Sequence, residues 1–316
     1  MAINADKPHL WKSDIAASVD QFNNWFMRFA PKAYRHTRVE TTRRVENDLG
    51  TTKYLASITP QVLRRHPGTL QTLRMTTCPP LARDRLIGLA YANKNLVKVM
   101  EEGKLPARMS PPELTANLKR IARIIRRMLD KDVFPWLETD KSPGTGELHR
   151  AATIIADRLC GAVSDPIIRN AQERRQLSCI DHYLRQKGYR PKRHPSSEPI
   201  TQMQSGTYSF RTNIVVGGSR SVNLPIDVII QPRKPNPRGV PLFIEAKSAG
   251  DFTNVNKRRK EEAMKIHQLR ATYGADTQFT LFLCGYFDCG YLGYEAAEGI
   301  DWIWEHRIKD MDQLGV

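Results

Sequence analysis

The sequence of 316 residues lacks any long hydrophobic run. Its longest apolar segments, such as residues 228–230 and 241–244, are far below the roughly 18 residues that a transmembrane helix needs. Residues 1–6 contain no basic stretch that leads into an apolar core, so no secretory signal is expected. We therefore expect a protein of the cytoplasm that has no membrane partner.

Cysteine is scarce and is not paired in the sequence. The chain has five cysteines, with no C-x-x-C pair and no cysteine and histidine array at zinc spacing. A disulfide scaffold and a structural zinc site are both disfavoured, and a reducing compartment fits this usage. The chain also lacks the G-x-x-x-x-G-K motif followed by Ser or Thr, which argues against an ATP-driven enzyme.

Acidic residues are outnumbered. The chain has 49 Lys and Arg against 33 Asp and Glu, a net charge of +16. Residues 1–250 carry +19 and residues 251–316 carry −3, so the excess is not confined to a tail. A field of this sign attracts polyanions, and nucleic acid is the main candidate, although a merely basic protein is the simpler alternative.

The first half of the chain predicts helices. Apolar residues recur at helical spacing in residues 14–29, and Thr59-Pro60 and Ser110-Pro111 are typical helix starts. The helix after Ser110 places five cations opposite its apolar stripe: Lys119, Arg120, Arg123, Arg126 and Arg127. This face either follows phosphates or is simply solvated.

The second half changes to an α/β pattern. Strands are predicted at residues 207–216, 222–230, 241–247 and 279–284, with a helix at residues 254–273 before the last of them. A further helix is predicted at residues 165–186, and the tail from residue 295 to 307 is also predicted to be helical. The predicted division is a helical region of residues 1–150 and an α/β domain of residues 151–316.

Two predicted strands carry acidic residues and a lysine among apolar neighbours. Asp227 follows Pro225-Ile226, and Glu245-Ala246-Lys247 lies on the next strand. Buried charge is costly unless it is paired or binds a metal, and carboxylates with the Ala246 carbonyl would suit Mg²⁺. Lys247 could orient a water, help to deprotonate it, or stabilise the phosphate in phosphodiester hydrolysis. The alternative is an ordinary Glu–Lys pair on surface strands.

These residues and their order resemble the PD-(D/E)XK nuclease superfamily over roughly residues 165–290. The segments KPHLWKSDIAAS (7–18), TTCPPLARDRLIG (76–88) and DPIIRNAQ (165–172) resemble XamI-type type II restriction endonucleases over nearly the whole chain. Ile226 stands between the Pro and the Asp of the superfamily motif, which is a common departure.

The resemblance implies a mixed sheet flanked by helices in the order αβββαβ. It also implies a prokaryotic homodimer that cuts double-stranded DNA at a short palindrome, with GTCGAC as the expected target. Asp227, Glu245 and Ala246 would bind Mg²⁺, with Mn²⁺ as a substitute, and Lys247 would serve the reaction. A repair or junction-resolving nuclease on the same core and a non-catalytic basic DNA-binding protein stay open as alternatives.

Glu173 is a fourth candidate for catalysis. On the helix of residues 165–186 it shares a face with Leu177, Ile180 and Leu184, where a carboxylate needs a partner. Many PD-(D/E)XK enzymes carry a glutamate on this helix that approaches the metal. We therefore expect Glu173 to point at the metal site and Gln172 to point elsewhere, with pairing of Glu173 to Arg169 or Arg174 as the alternative.

Two basic segments are candidates for DNA contact. One is the proline-rich loop of residues 231–238, and the other opens the helix after the E-x-K strand. Their cations are Arg233, Lys234, Arg238, Lys257, Arg258, Arg259 and Lys260. Arginine can bind guanine and lysine can bind phosphate, but plain solvated segments are an equal alternative.

Overall fold

The computed structural model describes residues 2–139, 141–161, 164–195, 198–217, 221–252 and 255–316, without the side chains of residues 164, 165, 167 and 255–258. The chain forms two compact units. Met1–Ala30 and Ile168–Val316 make up one, called here the sheet unit, and Pro31–Ile167 make up the other, called the helical unit. In the described part of the chain, no helix is both long enough and apolar enough to span a membrane.

The helical unit confirms the helices predicted in the first half of the chain. Its helices are the later part of α1 (Pro8–Thr51), α2 (Pro60–Arg65), α3 (Thr69–Met75), α4 (Arg83–Ala90), α5 (Lys94–Glu101), α6 (Pro111–Arg127) and α7 (Thr145–Gly161). The Thr59 hydroxyl accepts a hydrogen bond from the Val62 amide, and Ser110 accepts one from the Glu113 amide, as the cap signals indicate. Apolar faces of these helices form a single buried core.

The sheet unit contains a mixed sheet of six strands in the order β1-β2-β3-β4-β5-β6. The strands are β1 (Arg190–Pro191), β2 (Thr207–Val216), β3 (Val222–Gln231), β4 (Leu242–Ala249), β5 (Phe279–Gly285) and β6 (Asp301–Trp304). β2, β3 and β4 are antiparallel neighbours, whereas β4, β5 and β6 run parallel. Strands β2 to β5 confirm the four that the sequence predicts.

Helices cover both faces of this sheet. Helix α8 (Ser164–Gln186) packs Leu177, Ile180 and Leu184 on one face, together with Ile244 of β4. Helix α9 (Val255–Tyr273) packs on the other face with Phe243, and α10 (Cys289–Ala297) adds to that side. Because strand side chains alternate between faces, Glu245 and Lys247 share the α9 face with Phe243.

The tail corrects one prediction. The helix predicted at residues 295–307 is wrong, because this segment contains the end of α10, strand β6 and the start of a 3-10 helix at Glu305–Leu314. β6 reads Asp-Trp-Ile-Trp, and its aromatic and β-branched residues favour a strand that pairs in parallel with β5.

The compact units also differ from the predicted division at residue 150. The first 30 residues belong to the sheet unit, and the rest of that unit begins at residue 168 and not at residue 151. The Asp301 carboxylate accepts hydrogen bonds from the backbone amides of Asn4 at 3.0 Å and Ala5 at 3.1 Å, and Trp11 packs edge-on against Trp302. These contacts attach the start of the chain to strand β6.

Candidate active site

The centre of the site is the point where the β3–β4 ladder ends. The ladder pairs Val228 with Ile244 and continues only toward the loop that joins the two strands. On the other side, the Asp227 side chain takes the place of a backbone acceptor, since its Oδ2 accepts the Ala246 amide at 2.9 Å. The ladder therefore ends beside Asp227, and this point next to the charged residues of β4 is called here the opening between β3 and β4.

Glu245 and Lys247 lie together at this opening, as the sequence predicts. Glu245 is 5% exposed, and its Oε1 accepts a hydrogen bond from Lys247 Nζ at 3.1 Å. The Glu245 Oε2 atom is buried and has no hydrogen-bond partner in the described part of the protein. A buried carboxylate oxygen of this kind is costly, and it is a natural ligand position for a cation.

Helix α9 contributes two charged residues that the sequence analysis missed. Lys265 Nζ donates to Glu245 Oε1 at 2.6 Å and to the Pro225 carbonyl at 3.1 Å. Glu262 is fully buried, and its Oε1 lies 3.5 Å from Lys247 Nζ. A sequence signal existed, because Glu262, Ile266 and Leu269 are spaced as one helical face, and a glutamate on an apolar face requires a partner.

Burial and neighbouring charges shift the pKa values of Asp227 and Lys247. Burial, with the nearby Glu245 carboxylate, raises the pKa of Asp227 to about 6, against the opposing effect of the Ala246 amide and the two lysines. Burial alone would lower the pKa of Lys247, but Glu245 and Glu262 outweigh it, and the pKa is raised. Lys247 is therefore a cation at neutral pH, which favours charge stabilisation over a role as general base.

The donor atoms fit a hard divalent cation with few protein ligands. No cluster of three or more His, Cys, Asp or Glu side chains that could hold a metal is found in the described ranges. The carboxylates of Asp227 and Glu245 alone would leave most positions to backbone, water and phosphate oxygens. Mg²⁺ is commonly bound in this way, through one or two carboxylates beside substrate phosphates.

Among the described contacts of Glu173, no hydrogen bond or ion pair joins it to Asp227, Glu245 or Lys247, so its approach to this site stays a prediction. Its carboxylate pairs with Arg211 of β2, at 2.8 Å from the guanidinium NH2. Helix α8 covers the face of the sheet opposite to that of Glu245 and Lys247. The alternative was a pair with Arg169 or Arg174 of the same helix, whereas the observed partner, Arg211, belongs to β2.

Gln172 and Gln176 face the sheet in place of Glu173. Gln172 is 6% exposed and accepts a hydrogen bond from the Ser248 hydroxyl, on the face of β4 opposite to Glu245 and Lys247. Gln176 donates to the carbonyls of Lys247 and Phe282. The two side-chain amides thus hydrogen-bond to the sheet on the face opposite to Glu245 and Lys247. Because they are neutral, they satisfy polar groups there without adding a charge.

The proline-rich basic loop lies at the other end of the strands. It follows Gln231, which is four residues or about 13 Å along β3 from Asp227. Arg233 stacks over the Tyr189 ring and donates to the Lys187 carbonyl, and Arg238 pairs with Asp276 at 2.8 Å. Lys234 is exposed and has no ion pair within the described ranges.

The second basic segment opens helix α9. The side chains of Lys257 and Arg258 lie outside the described residues. Arg259 stacks over the Tyr294 ring, with its Cζ 4.8 Å from the ring centroid, and Lys260 is exposed. The two basic segments are therefore not one continuous surface: the first is at the β3–β4 loop and the second precedes Glu262 and Lys265.

Two carboxylates beside two lysines are side chains that could together hold a divalent cation and stabilise a phosphate. Residues 53–304 match the XamI restriction endonuclease family, and the chain belongs to this family. The type II restriction enzyme SalI of Streptomyces albus G is 55% identical to it over 313 residues, which cover 99% of each chain.

Among solved structures, the protein VC1899 from Vibrio cholerae matches 90% of this chain and 55% of its own length. The sequence identity is 13% and the TM-score is 0.28, so this likeness carries no argument.

Proposed function

We propose that the protein is a type II restriction enzyme that hydrolyses phosphodiesters of double-stranded DNA at the palindrome GTCGAC. The observation that carries the proposal is the 55% identity to the SalI enzyme over essentially the whole of both chains. The target is the one expected from the family resemblance, and the net charge of +16 suits a polyanionic substrate.

We infer that the sheet unit is a PD-(D/E)XK core and that its site is the opening between β3 and β4. Support comes from the order of α8, the strands β2 to β4, α9 and β5, which matches αβββαβ apart from the added two-residue β1. The contact of Asp227 with the E-x-K strand through the Ala246 amide supports the same assignment.

In this assignment Asp227 and Glu245 hold Mg²⁺, or Mn²⁺ in its place, with help from the Ala246 carbonyl. The Ala246 amide is directed toward Asp227 of β3, and a strand residue directs its carbonyl to the same neighbour as its amide. When bound, Mg²⁺ would supply Lewis-acid stabilisation of the negative charge on the phosphate. Burial and the neighbouring Glu245 carboxylate raise the pKa of Asp227, and a bound cation would favour its ionised form.

The residues of the chain supply the remaining roles. The Lys247 ammonium can donate a hydrogen bond to the attacking water, which orients the water. It can also donate to a phosphate oxygen, which stabilises the negative charge on the phosphate. Lys265 lies 2.6 Å from Glu245 and limits the repulsion between the two acids. Of the basic residues proposed for DNA contact, Lys234 and Lys260 are the most available, since Arg233, Arg238 and Arg259 already contact other groups of the protein.

The test is to incubate the protein with phage DNA that contains GTCGAC sites, in the presence of Mg²⁺. Discrete fragments that end at GTCGAC are the expected result, with Mn²⁺ as a substitute and no cutting in excess chelator. Ca²⁺ should support binding with little cutting, because it is larger and less strict in geometry. Cutting of branched junctions alone would favour a junction-resolving nuclease, and binding with no cutting under any of these ions would contradict the enzyme.

A further inference from the structure

Helices α9 and α10 bring two buried acids next to the site. Glu262 and Glu295 are both 0% exposed, although glutamate is rarely fully buried without a partner. The carboxylate of Glu262 forms an ion pair with Lys247, whose Nζ lies 3.5 Å from its Oε1, and the Tyr291 hydroxyl donates to its Oε2 at 2.8 Å. Its carboxylate therefore connects the lysine of the E-x-K motif to the core behind it.

The Lys247 ammonium lies near carboxylates from two elements, Glu245 of its own strand and Glu262 of α9. The Glu245 Oε1 atom is shared by two ammonium groups, with Lys265 at 2.6 Å and Lys247 at 3.1 Å. Lys265 makes the shorter of these two contacts, so the charge of Glu245 is already partly neutralised by Lys265. Asp227 also acts on Lys247, and Glu262 is the carboxylate that approaches this lysine from α9.

Glu295 does not compete for this lysine. Burial, with the neighbouring Glu262 carboxylate, raises the pKa of Glu295 to about 9, so the Glu295 carboxyl is neutral at pH 7. Arg259, whose side chain stacks on Tyr294, acts on Glu295 in the opposite direction. Burial raises the pKa of Glu262 as well, against the opposing effects of Lys247 and the Tyr291 hydroxyl, and Glu262 is the acid of this pair that contacts Lys247.

We propose that Glu262 is a positioning residue that holds the Lys247 ammonium beside Glu245, with the Tyr291 hydroxyl fixing the orientation of the Glu262 carboxylate. The inference rests on the proposed function, because it assigns Glu262 a role in the same site. A lysine side chain has four rotatable bonds, and a buried ion pair to a fixed carboxylate removes much of that freedom before DNA binds. Glu262 acts through Lys247 and need not touch the DNA.

The experiment measures single-turnover cleavage of a duplex with one GTCGAC site, with enzyme in excess, and duplex affinity in Ca²⁺. Glu262→Gln keeps the shape and removes the charge, and it should lower the rate constant by about ten- to a hundredfold, the range found for outer-shell partners. Tyr291→Phe keeps the ring and should lower it less. The exposed neighbour Glu261 gives the control Glu261→Gln, which should cut as the wild type does. Duplex affinity should change by less than about twofold in every variant.

A double-mutant cycle separates positioning from a structural role. If Glu262 acts through Lys247, then Glu262→Gln should cause no further loss in a Lys247→Gln background, whereas independent effects would multiply. The inference would be overturned if the double variant lost the product of the two single losses in rate constant. It would also be overturned if Glu262→Gln cut as fast as the wild type. If Glu262→Gln does not fold, Tyr291→Phe decides: an unchanged rate contradicts the inference and a lowered one supports it. A wild type that cuts no DNA would instead contradict the proposed function.

Discussion

At the scale of single residues, the site is a set of charges that strand geometry brings together. Asp227 replaces a ladder acceptor for the Ala246 amide, and Glu245 keeps one buried oxygen without a partner. Both arrangements cost stability, because polar groups are removed from water without full compensation. Such a cost at one place is typical of a functional site, where geometry serves binding and not folding.

The first prediction concerns the three charged residues. Asp227→Ala, Glu245→Ala and Lys247→Ala should each lower cleavage by more than about a hundredfold, since each removes a group that serves the metal or the phosphate. Circular dichroism and duplex binding should show that the fold and some specific binding remain. Near wild-type cutting by any of the three would contradict the role of that residue.

The second prediction concerns Glu295 and pH. A raised pKa means that the folded protein keeps the proton between pH 4.5 and about 9, while the unfolded chain releases it. The free energy of unfolding therefore falls as pH rises through this window, by at most about 1.4 kcal/mol per pH unit from this group. Glu295→Gln should remove that slope.

Urea unfolding at a series of pH values, compared between wild type and Glu295→Gln, measures this slope directly. The variant should gain stability relative to the wild type as pH rises from 5 to 9, and exposed Glu261→Gln should show no such trend. A difference between wild type and Glu295→Gln that is constant with pH would show that Glu295 ionises normally.

At the scale of elements, the face on which each helix packs decides what its side chains can reach. Helix α8 covers the face of Val228 and Ile244, and α9 covers the face of Phe243, to which Glu245 and Lys247 belong. Glu173 is therefore paired with Arg211, whereas Glu262 of α9 reaches Lys247.

The third prediction follows from this separation. The Glu173–Arg211 pair is largely exposed, and exposed ion pairs contribute about 0–1 kcal/mol. Glu173→Gln should therefore change stability by no more than that and leave the cleavage rate within about fivefold of the wild type. Single-turnover kinetics and urea unfolding measure the two quantities. A loss of ten- to a hundredfold in rate would show that Glu173 serves the site after all.

At the scale of the whole molecule, positive charge and symmetry bear on DNA binding. The net charge of +16 attracts DNA without regard to sequence, so specificity must come from particular contacts. A palindrome presents the same half-site twice, and one site in each of two identical chains would serve both strands. We therefore expect a homodimer on the DNA.

The fourth prediction tests this stoichiometry. Sedimentation of the protein in Ca²⁺ with a duplex that carries GTCGAC should give a complex of two chains per duplex. A duplex of scrambled sequence is the control and should bind more weakly, with an affinity that falls steeply as salt is raised. One chain per GTCGAC duplex would contradict the homodimer.

The sequence by itself determined the family, the four main strands and the positions of Asp227, Glu245 and Lys247. These depend on local signals, namely helix caps, period-two alternation and the spacing of a short motif, which need no knowledge of distant contacts. Strand β6 was missed because Asp301–Trp304 is only four residues long, and its pairing with β5 is a contact between distant segments.

The tertiary structure decided which residues surround Asp227, Glu245 and Lys247. Helical spacing places Glu173 and Glu262 equally well on apolar faces, so periodicity could not choose between them. The choice depends on which face of the sheet each helix covers, and that is fixed by packing between elements far apart in the sequence. The attachment of the first 30 residues to β6 was hidden for the same reason, because it depends on Asp301, nearly 300 residues from its partners Asn4 and Ala5.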